Sequence, residues 1–255
     1  DVPHVITFHA LGAVRRRAQG SADRFPAQRE DLERSLMREA DRVIAECPQD
    51  RADMLELYAA DPSRIDVVPC GFDPRELYPL EKSAARRHLG WDPQRYTVLQ
   101  LGRLVPRKGI DNVIRGIQRL RDLHGTEAVL YVVGGNAEDP NPVATPAIGR
   151  LRALAEECGV ADCVKFLGRR GRSSLRALYS AADVFVTTPW YEPFGITPIE
   201  AMACGTPVIG AAVGGIQHTV RDGSTGLLVP PEDPDALAGS LAALAADPAL
   251  RAKLG

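Results

Sequence analysis

Two carboxylates, Glu192 and Glu200, are separated by seven residues in the stretch Trp190-Tyr191-Glu192-Pro193-Phe194-Gly195-Ile196-Thr197-Pro198-Ile199-Glu200. The residues between them have the composition of a helix start. Thr197 suits an N-cap, Pro198 the first helical position and Glu200 the third, which completes a capping box, and Gly205 would stop the helix before two turns. The backbone N–H groups of Phe194, Gly195 and Ile196 would then point out of a helix N-terminus, where the dipole favours an anion such as phosphate. The capping box accounts for Glu200 without any ligand. Glu192 is different, because it lies between an aromatic pair and a proline, where neither capping nor a solvated helix face explains it.

Cations that could serve the same anion lie far away in sequence. Arg103 and Lys108 fall in the loop Gly102 to Gly109, directly after the apolar run Tyr96 to Leu101. A solvated loop would also explain them. What argues for a site is the arrangement of strands, since parallel strands deliver all their following loops to one sheet edge, where ligands of open α/β sheets bind. Arg103, Lys108, Gly134-Gly135 and Glu192 to Glu200 then converge, and the cations form an anion clamp. His9 ends another apolar run, Val5 to Phe8, and reaches the corresponding edge of its own sheet.

The elements that would position these residues alternate strand and helix. Val5 to Phe8 reads as a buried strand, followed by a polar loop from Gly12 to Pro26 that carries Arg15-Arg16-Arg17. A helix from Arg29 follows, then a strand at Val43 to Ala45, a helix with Met54, Leu55 and Tyr58, and a strand at Ile65 to Pro69. Phe72 to Arg95, with three prolines and a charged helix near Ala84 to Leu89, reads as a linker into a second unit. There the strands Tyr96–Leu101, Ala128–Val133, Val164–Leu167, Val184–Thr188, Val208–Ala211 and Leu227–Val229 are predicted with helices between them, which implies right-handed βαβ crossovers and parallel sheets. The expectation is two doubly wound units, residues 1–79 and 80–255. The chain reads as though it begins inside the first, which makes that unit incomplete.

Bulk properties narrow the function. With 255 residues, 45% hydrophobic and 25% charged, the chain is ordinary globular protein, and a net charge of −2 gives no reason to expect nucleic acid or an acidic membrane surface. Cys47, Cys70, Cys158, Cys163 and Cys204 are odd in number and scattered without a Cys-x-x-Cys pair, and read as buried or incidental thiols with neither a disulfide framework nor a zinc site. No apolar run approaches the roughly 18 residues of a membrane span, and no signal-peptide layout is present, so a cytoplasmic location is expected. Neither a Gly-x-Gly-x-x-Gly nor a Walker phosphate pattern occurs in the strand-end loops, which disfavours an NAD-dependent oxidoreductase and an ATPase.

The sequence resembles the retaining glycosyltransferases of family 4, of GT-B architecture, and most resembles the sucrose-phosphate synthase-like members. The resemblance rests on Gly102-Arg-Leu-Val-Pro-Arg-Lys-Gly109, Glu192-Pro-Phe-Gly-Ile-Thr-Pro-Ile-Glu-Ala-Met-Ala-Cys-Gly-Thr-Pro-Val-Ile209, Val213-Gly-Gly-Ile216, Asp222 to Val229, and His9-Ala10-Leu11-Gly12. It implies a hexosyltransferase that needs no metal and no cofactor beyond its donor, a UDP-, ADP- or GDP-hexose, with a small carbohydrate or sugar phosphate as acceptor. By the same resemblance Arg103 and Lys108 bind the donor diphosphate and stabilise the leaving group, and Glu192 holds donor-sugar hydroxyls. Gly102 and the backbone of Phe194, Gly195, Ile196 and Thr197 surround the donor, Glu200 accepts from the ribose, and Arg170 lies beside the base. His9 reaches the donor sugar from the other unit, while Arg15 and Arg29 fall where relatives bind an acceptor phosphate. An inositol-phosphate glycosyltransferase is the near alternative, although Ala10 stands where that relative has an acceptor-binding threonine. A nucleotide-sugar-binding module without turnover is the alternative from another class.

Overall fold

The computed structural model describes residues 2–20, 23, 25–26 and 28–255. Its first part contains β1 (Val5–Thr7), α1 (Gly12–Gln19), α2 (Gln28–Glu39), β2 (Arg42–Ala45), α3 (Pro48–Tyr58) and β3 (Ile65–Val67). The strands are parallel, in the order β1-β2-β3. Leu11, Met37, Val43, Met54, Tyr58 and Ile65 pack together between helices and sheet.

Two sequence expectations change here. The segment expected as a polar loop after Gly12 is mostly the helix α1, because Leu11 and Val14 turn toward the core while Arg16 and Arg17 face outward. Runs of charge read as loop, yet arginine is a good helix former. The buried strand Val5 to Phe8 is an edge strand of three residues with Val5 52% exposed, and only Phe8, beyond its end, is in the core.

The second part runs α4 (Lys82–Leu89), β4 (Tyr96–Leu101), α5 (Ile110–His124), β5 (Ala128–Val133), α6 (Pro146–Glu157), β6 (Val164–Gly168), α7 (Arg172–Ala181), β7 (Val184–Thr187), α8 (Ile196–Ala203), β8 (Val208–Ala211), α9 (Ile216–Thr219), β9 (Gly226–Val229), α10 (Pro234–Ala246) and α11 (Pro248–Leu254). Six parallel strands lie in the order β6-β5-β4-β7-β8-β9. From β4 the chain winds outward through β5 to β6, then returns to place β7 on the other side of β4. The loops after β4 and β7 therefore diverge at a topological switch point, where such sheets open a crevice.

Strands that are covered on both faces must be apolar throughout, and β7 and β8 are buried at every position. One face packs Val113, Ile117 and Leu120 of α5 with Leu237 and Leu241 of α10. The other packs Leu99, Phe185 and Tyr179 with Trp91, whose ring stacks on Tyr131 at 3.8 Å. The charged helix expected in a linker, α4, belongs to this second body. Its Arg86 is buried and pairs with Asp183 at 2.6 Å, and Lys82 pairs with the other oxygen of Asp183 at 2.9 Å. Thr97 N–H donates to Asp183 as well, 2.8 Å away.

Candidate functional site

Beyond β4 the chain forms a short 3-10 turn, Pro106–Lys108, closed by Gly109 at φ 63°. A Cβ on Gly109 would lie 1.9 Å from the Thr188 carbonyl oxygen, so only glycine lets the two switch-point loops touch there. They are also joined by hydrogen bonds. The Thr188 hydroxyl donates to the Gly109 carbonyl at 3.1 Å, and the Trp190 N–H to the Arg107 carbonyl at 2.9 Å. This contact carries Lys108 to Glu192, and the two form an ion pair, each side chain only 16–17% exposed. Arg107 stands 3.9 Å from the same carboxylate oxygen and donates to the Tyr191 carbonyl. Burial lowers the Arg107 pKa from its ordinary value, with Glu192 acting to raise it. Two cations thus face one carboxylate, and the excess positive charge favours an anion.

The Glu192 loop is also gripped from behind. Gly215 N–H donates to the Glu192 carbonyl at 2.9 Å, and a Cβ on Gly215 would come within 2.3 Å of Phe194 Cα. The helix α8 then starts two residues earlier than the capping box suggests. Its N-cap is Gly195 at φ 91°, with no side-chain cap, so Thr197 and Pro198 are second and third in the helix and Glu200 is not a capping residue. A left-handed glycine starts the helix and outcompetes the threonine. Glu200 is buried and accepts from the Tyr179 hydroxyl at 2.9 Å; burial raises its pKa, and that hydrogen bond opposes the rise. Gly205 does follow the helix end, in the left-handed region, after two full turns.

Opposite this loop lies the first part of the molecule. His9, in the loop after β1, and Glu46, directly after β2, reach across to complete a cavity of about 260 Å³ with Lys108, Glu192 and residues Phe194, Gly195, Ile196 and Thr197. The His9 Nδ1 pairs with Glu46, which is almost fully buried. Cys47, the N-cap of α3, donates its thiol to the Pro193 carbonyl at 3.3 Å and so ties the two parts together beside the cavity.

A second cavity, of about 550 Å³, opens on the other side of the same turn. Arg15, Gln19, Phe25, Arg103, Arg107 and Trp190 line it. Arg103 is exposed there and stands apart from the Lys108–Glu192 pair, so the two expected clamp cations face different cavities. Arg15 pairs with Asp23 and lies 4.0 Å over the Phe25 ring; Arg29 pairs with Glu33, donates to the Ala10 carbonyl and lies 4.8 Å over the same ring.

The arrangement therefore brings together His9, Lys108, Glu192, Phe194, Gly195, Ile196 and Thr197, and separately Arg15 and Arg103. Gly102 directly follows β4, and Glu200, buried against Tyr179, lines neither cavity. Arg170 follows β6 at the far sheet edge and donates to the Glu138 carbonyl. Sequence reasoning missed Glu46 and Arg107. Both follow the rule that residues just past parallel strands or on their loops meet ligands, and Glu46 directly follows the strand residue Ala45.

Comparison with known proteins fits this geometry. The model for Glycosyl transferases group 1 matches residues 81–255, and that for Glycosyltransferase Family 4 matches residues 1–76. The D-inositol 3-phosphate glycosyltransferase of Mycolicibacterium gilvum is 39% identical over 249 residues, covering 97% of this chain and 54% of that protein. That of Actinosynnema mirum is 38% identical over 257 residues, 99% of this chain and 61% of that protein. This chain thus spans little more than half the length of these relatives. Among solved structures, sucrose-phosphate synthase (tll1590) from Thermosynechococcus elongatus superposes with a TM-score of 0.87 at 35% identity, over 98% of this chain and 60% of that one. Anabaena Alr3699/HepE in complex with UDP and glucose superposes with a TM-score of 0.81 at 25% identity, over 99% of this chain and 64% of that one. With two Rossmann-like parallel sheets, a cleft at the switch point and family models matched over both parts, the chain belongs to the group 1 and family 4 glycosyltransferases of GT-B fold.

Proposed function

We propose that the protein is a retaining glycosyltransferase that moves a hexosyl group from a nucleoside diphosphate sugar to a hydroxyl of a phosphorylated acceptor. The observation that carries this reading is the single cavity in which Lys108, Glu192, the start of α8 and His9 from the other sheet face one another. Lys108 and the free N–H groups of α8 suit a diphosphate. Glu192 and His9 suit sugar hydroxyls, which both donate and accept. The binding of UDP and glucose by the HepE neighbour supports the donor class.

In the reaction the bond from the anomeric carbon to the diphosphate oxygen breaks and one to the acceptor oxygen forms on the same face. The acceptor's proton passes to the departing diphosphate. Lys108 takes up the charge that develops on the leaving group, so no metal is required for that step. The second cavity, with Arg15 and Arg103, would hold the acceptor and its phosphate.

The names of the curated relatives favour inositol phosphate as the acceptor, and that of the structural neighbour favours a sugar phosphate. The test is transfer by the full-length protein from UDP-, ADP- and GDP-hexoses to fructose 6-phosphate, inositol phosphate and simple sugars. Lys108→Ala and Glu192→Ala are each expected to lower turnover by about 10²–10³-fold, as removal of one charge-stabilising group does. Unchanged turnover in both variants would remove the site assignment.

A further inference from the structure

The pairing of His9 with Glu46 includes a third group. The Cys70 thiol, just past β3, donates to the same Oε1 of Glu46 at 3.2 Å. A ring nitrogen, a carboxylate oxygen and a sulfur from three different strand ends thus lie within 4.8 Å of one another. Their separations in sequence, 37 residues from His9 to Glu46 and 24 from Glu46 to Cys70, give no motif. Only the parallel sheet assembles them.

The donor set is that of borderline transition metals. Imidazole nitrogen, carboxylate and thiolate are all zinc ligands, with bonds of about 2.0–2.3 Å, so ligand atoms around a tetrahedral ion stand about 3.3–3.6 Å apart. The Cys70–Glu46 separation is close to this spacing, and His9, in direct contact with Glu46 but 73% exposed in its side chain, has room to move out to it.

A second, independent observation favours a cation. Glu46 is 4% exposed in its side chain, and the buried carboxylate of Asp50 accepts from the Glu46 N–H at 2.9 Å. Among the described residues no lysine or arginine pairs with either carboxylate. Among the described residues His9 is thus the one basic side chain that pairs with the buried Glu46 carboxylate. Without a metal the Cys70 thiol donates to the Glu46 carboxylate. A divalent ion would displace the thiol proton and bring positive charge to the buried carboxylate.

We propose that His9 Nδ1, Glu46 Oε1 and Cys70 Sγ form a binding site for a borderline divalent transition metal such as Zn²⁺, with its fourth position open toward the donor cavity. The thiol proton and any Nδ1 proton leave to solvent on binding. Occupancy fixes His9 to the metal and away from the donor, so the ion acts as an inhibitor. The inhibitory half rests on the glycosyltransferase reading; the binding half does not.

The test uses the full chain, freed of metal, titrated with Co²⁺ as a spectroscopic stand-in and with Zn²⁺ against a chromophoric indicator. One equivalent is expected, with a thiolate-to-cobalt charge-transfer band, and Mg²⁺ should not compete. Cys70→Ser should abolish the band, and Cys70→Ser and Glu46→Gln should each weaken Zn²⁺ at least tenfold, whereas Cys163→Ser, remote from the cluster, should change neither. Circular dichroism and thermal melts establish that the variants are folded. Absence of the band, or binding indifferent to both Cys70→Ser and Glu46→Gln, overturns the site. In transfer assays Zn²⁺ should inhibit the parent protein, and at least tenfold more of it should be needed to inhibit Cys70→Ser, each measured against its own metal-free turnover. Binding without inhibition overturns the inhibitory role, while absence of turnover in metal-free protein with every acceptor overturns the glycosyltransferase reading alone.

Discussion

The Lys108–Glu192 pair owes its geometry to the residue that follows the lysine. Gly109 combines a left-handed backbone with a contact that leaves no room for a side chain. Gly109→Ala must both adopt a strained φ and push Thr188 away, so it is expected to cost well over about 1 kcal/mol. A lowered thermal midpoint together with weakened UDP-hexose binding would be the sign of it; a midpoint equal to the parent's would show that the loops are not locked there. Lys108 and Glu192 are legible in the sequence because each is poorly explained as a structural residue and lies past a strand. Glu200 shows the limit of such reading, since Thr-Pro-x-Glu is a proper capping box, and only the φ of Gly195 reveals that the helix starts before it. Glu46 was invisible for another reason. Its partners come from β1 and β3, and a pairing across a sheet leaves no local pattern.

At the scale of elements, α4 is held to the second body by charge as well as by packing. Burial alone would raise the Asp183 carboxyl, but Lys82, the Thr97 N–H and Arg86 outweigh it and hold the group below its ordinary value. Asp183→Asn leaves Arg86 buried without its counter-ion, and a loss of about 3 kcal/mol is expected from denaturant unfolding at pH 7. Because the folded pKa is lowered, this contribution is present above the unfolded carboxyl range near pH 4 and fades as pH falls through the folded value. The gap between parent and variant should therefore close in acid, and a gap independent of pH would rule out the ionised pair as its source. Strand positions of the second body were readable from apolar runs, since strands covered on both faces allow little else. The helices α1 and α9 were not. The arginines of α1 disguise it, and α9, of four residues, is too short to show a period.

At the scale of the molecule, the donor cavity has walls from both sheets, and Cys47 and Pro193 form a hydrogen-bonded contact beside it. A ligand that fills it must order both sides. Hydrogen exchange with saturating UDP-hexose is expected to slow amides in the loop 192–197 and also at the start of α3, with overall stabilisation of about 2.7 kcal/mol at a hundredfold excess over Kd. Protection confined to the loop would mean that the first part takes no share in donor binding. The alternation of strands and helices disclosed this two-sided plan, whereas the division of the cleft into two cavities by one 3-10 turn depends on side-chain packing that no periodicity records.

The ion pair between Lys108 and Glu192 has one more consequence. Each member satisfies the other, so a bare phosphate would have to take the lysine and strand a half-buried carboxylate, and a bare hexose would take the carboxylate and strand the lysine. A molecule carrying a hydroxyl and a phosphate at the right separation replaces both partners at once. On the proposed donor reading the pair would serve as a coincidence detector, opposing either half of a sugar nucleotide and opened by the whole.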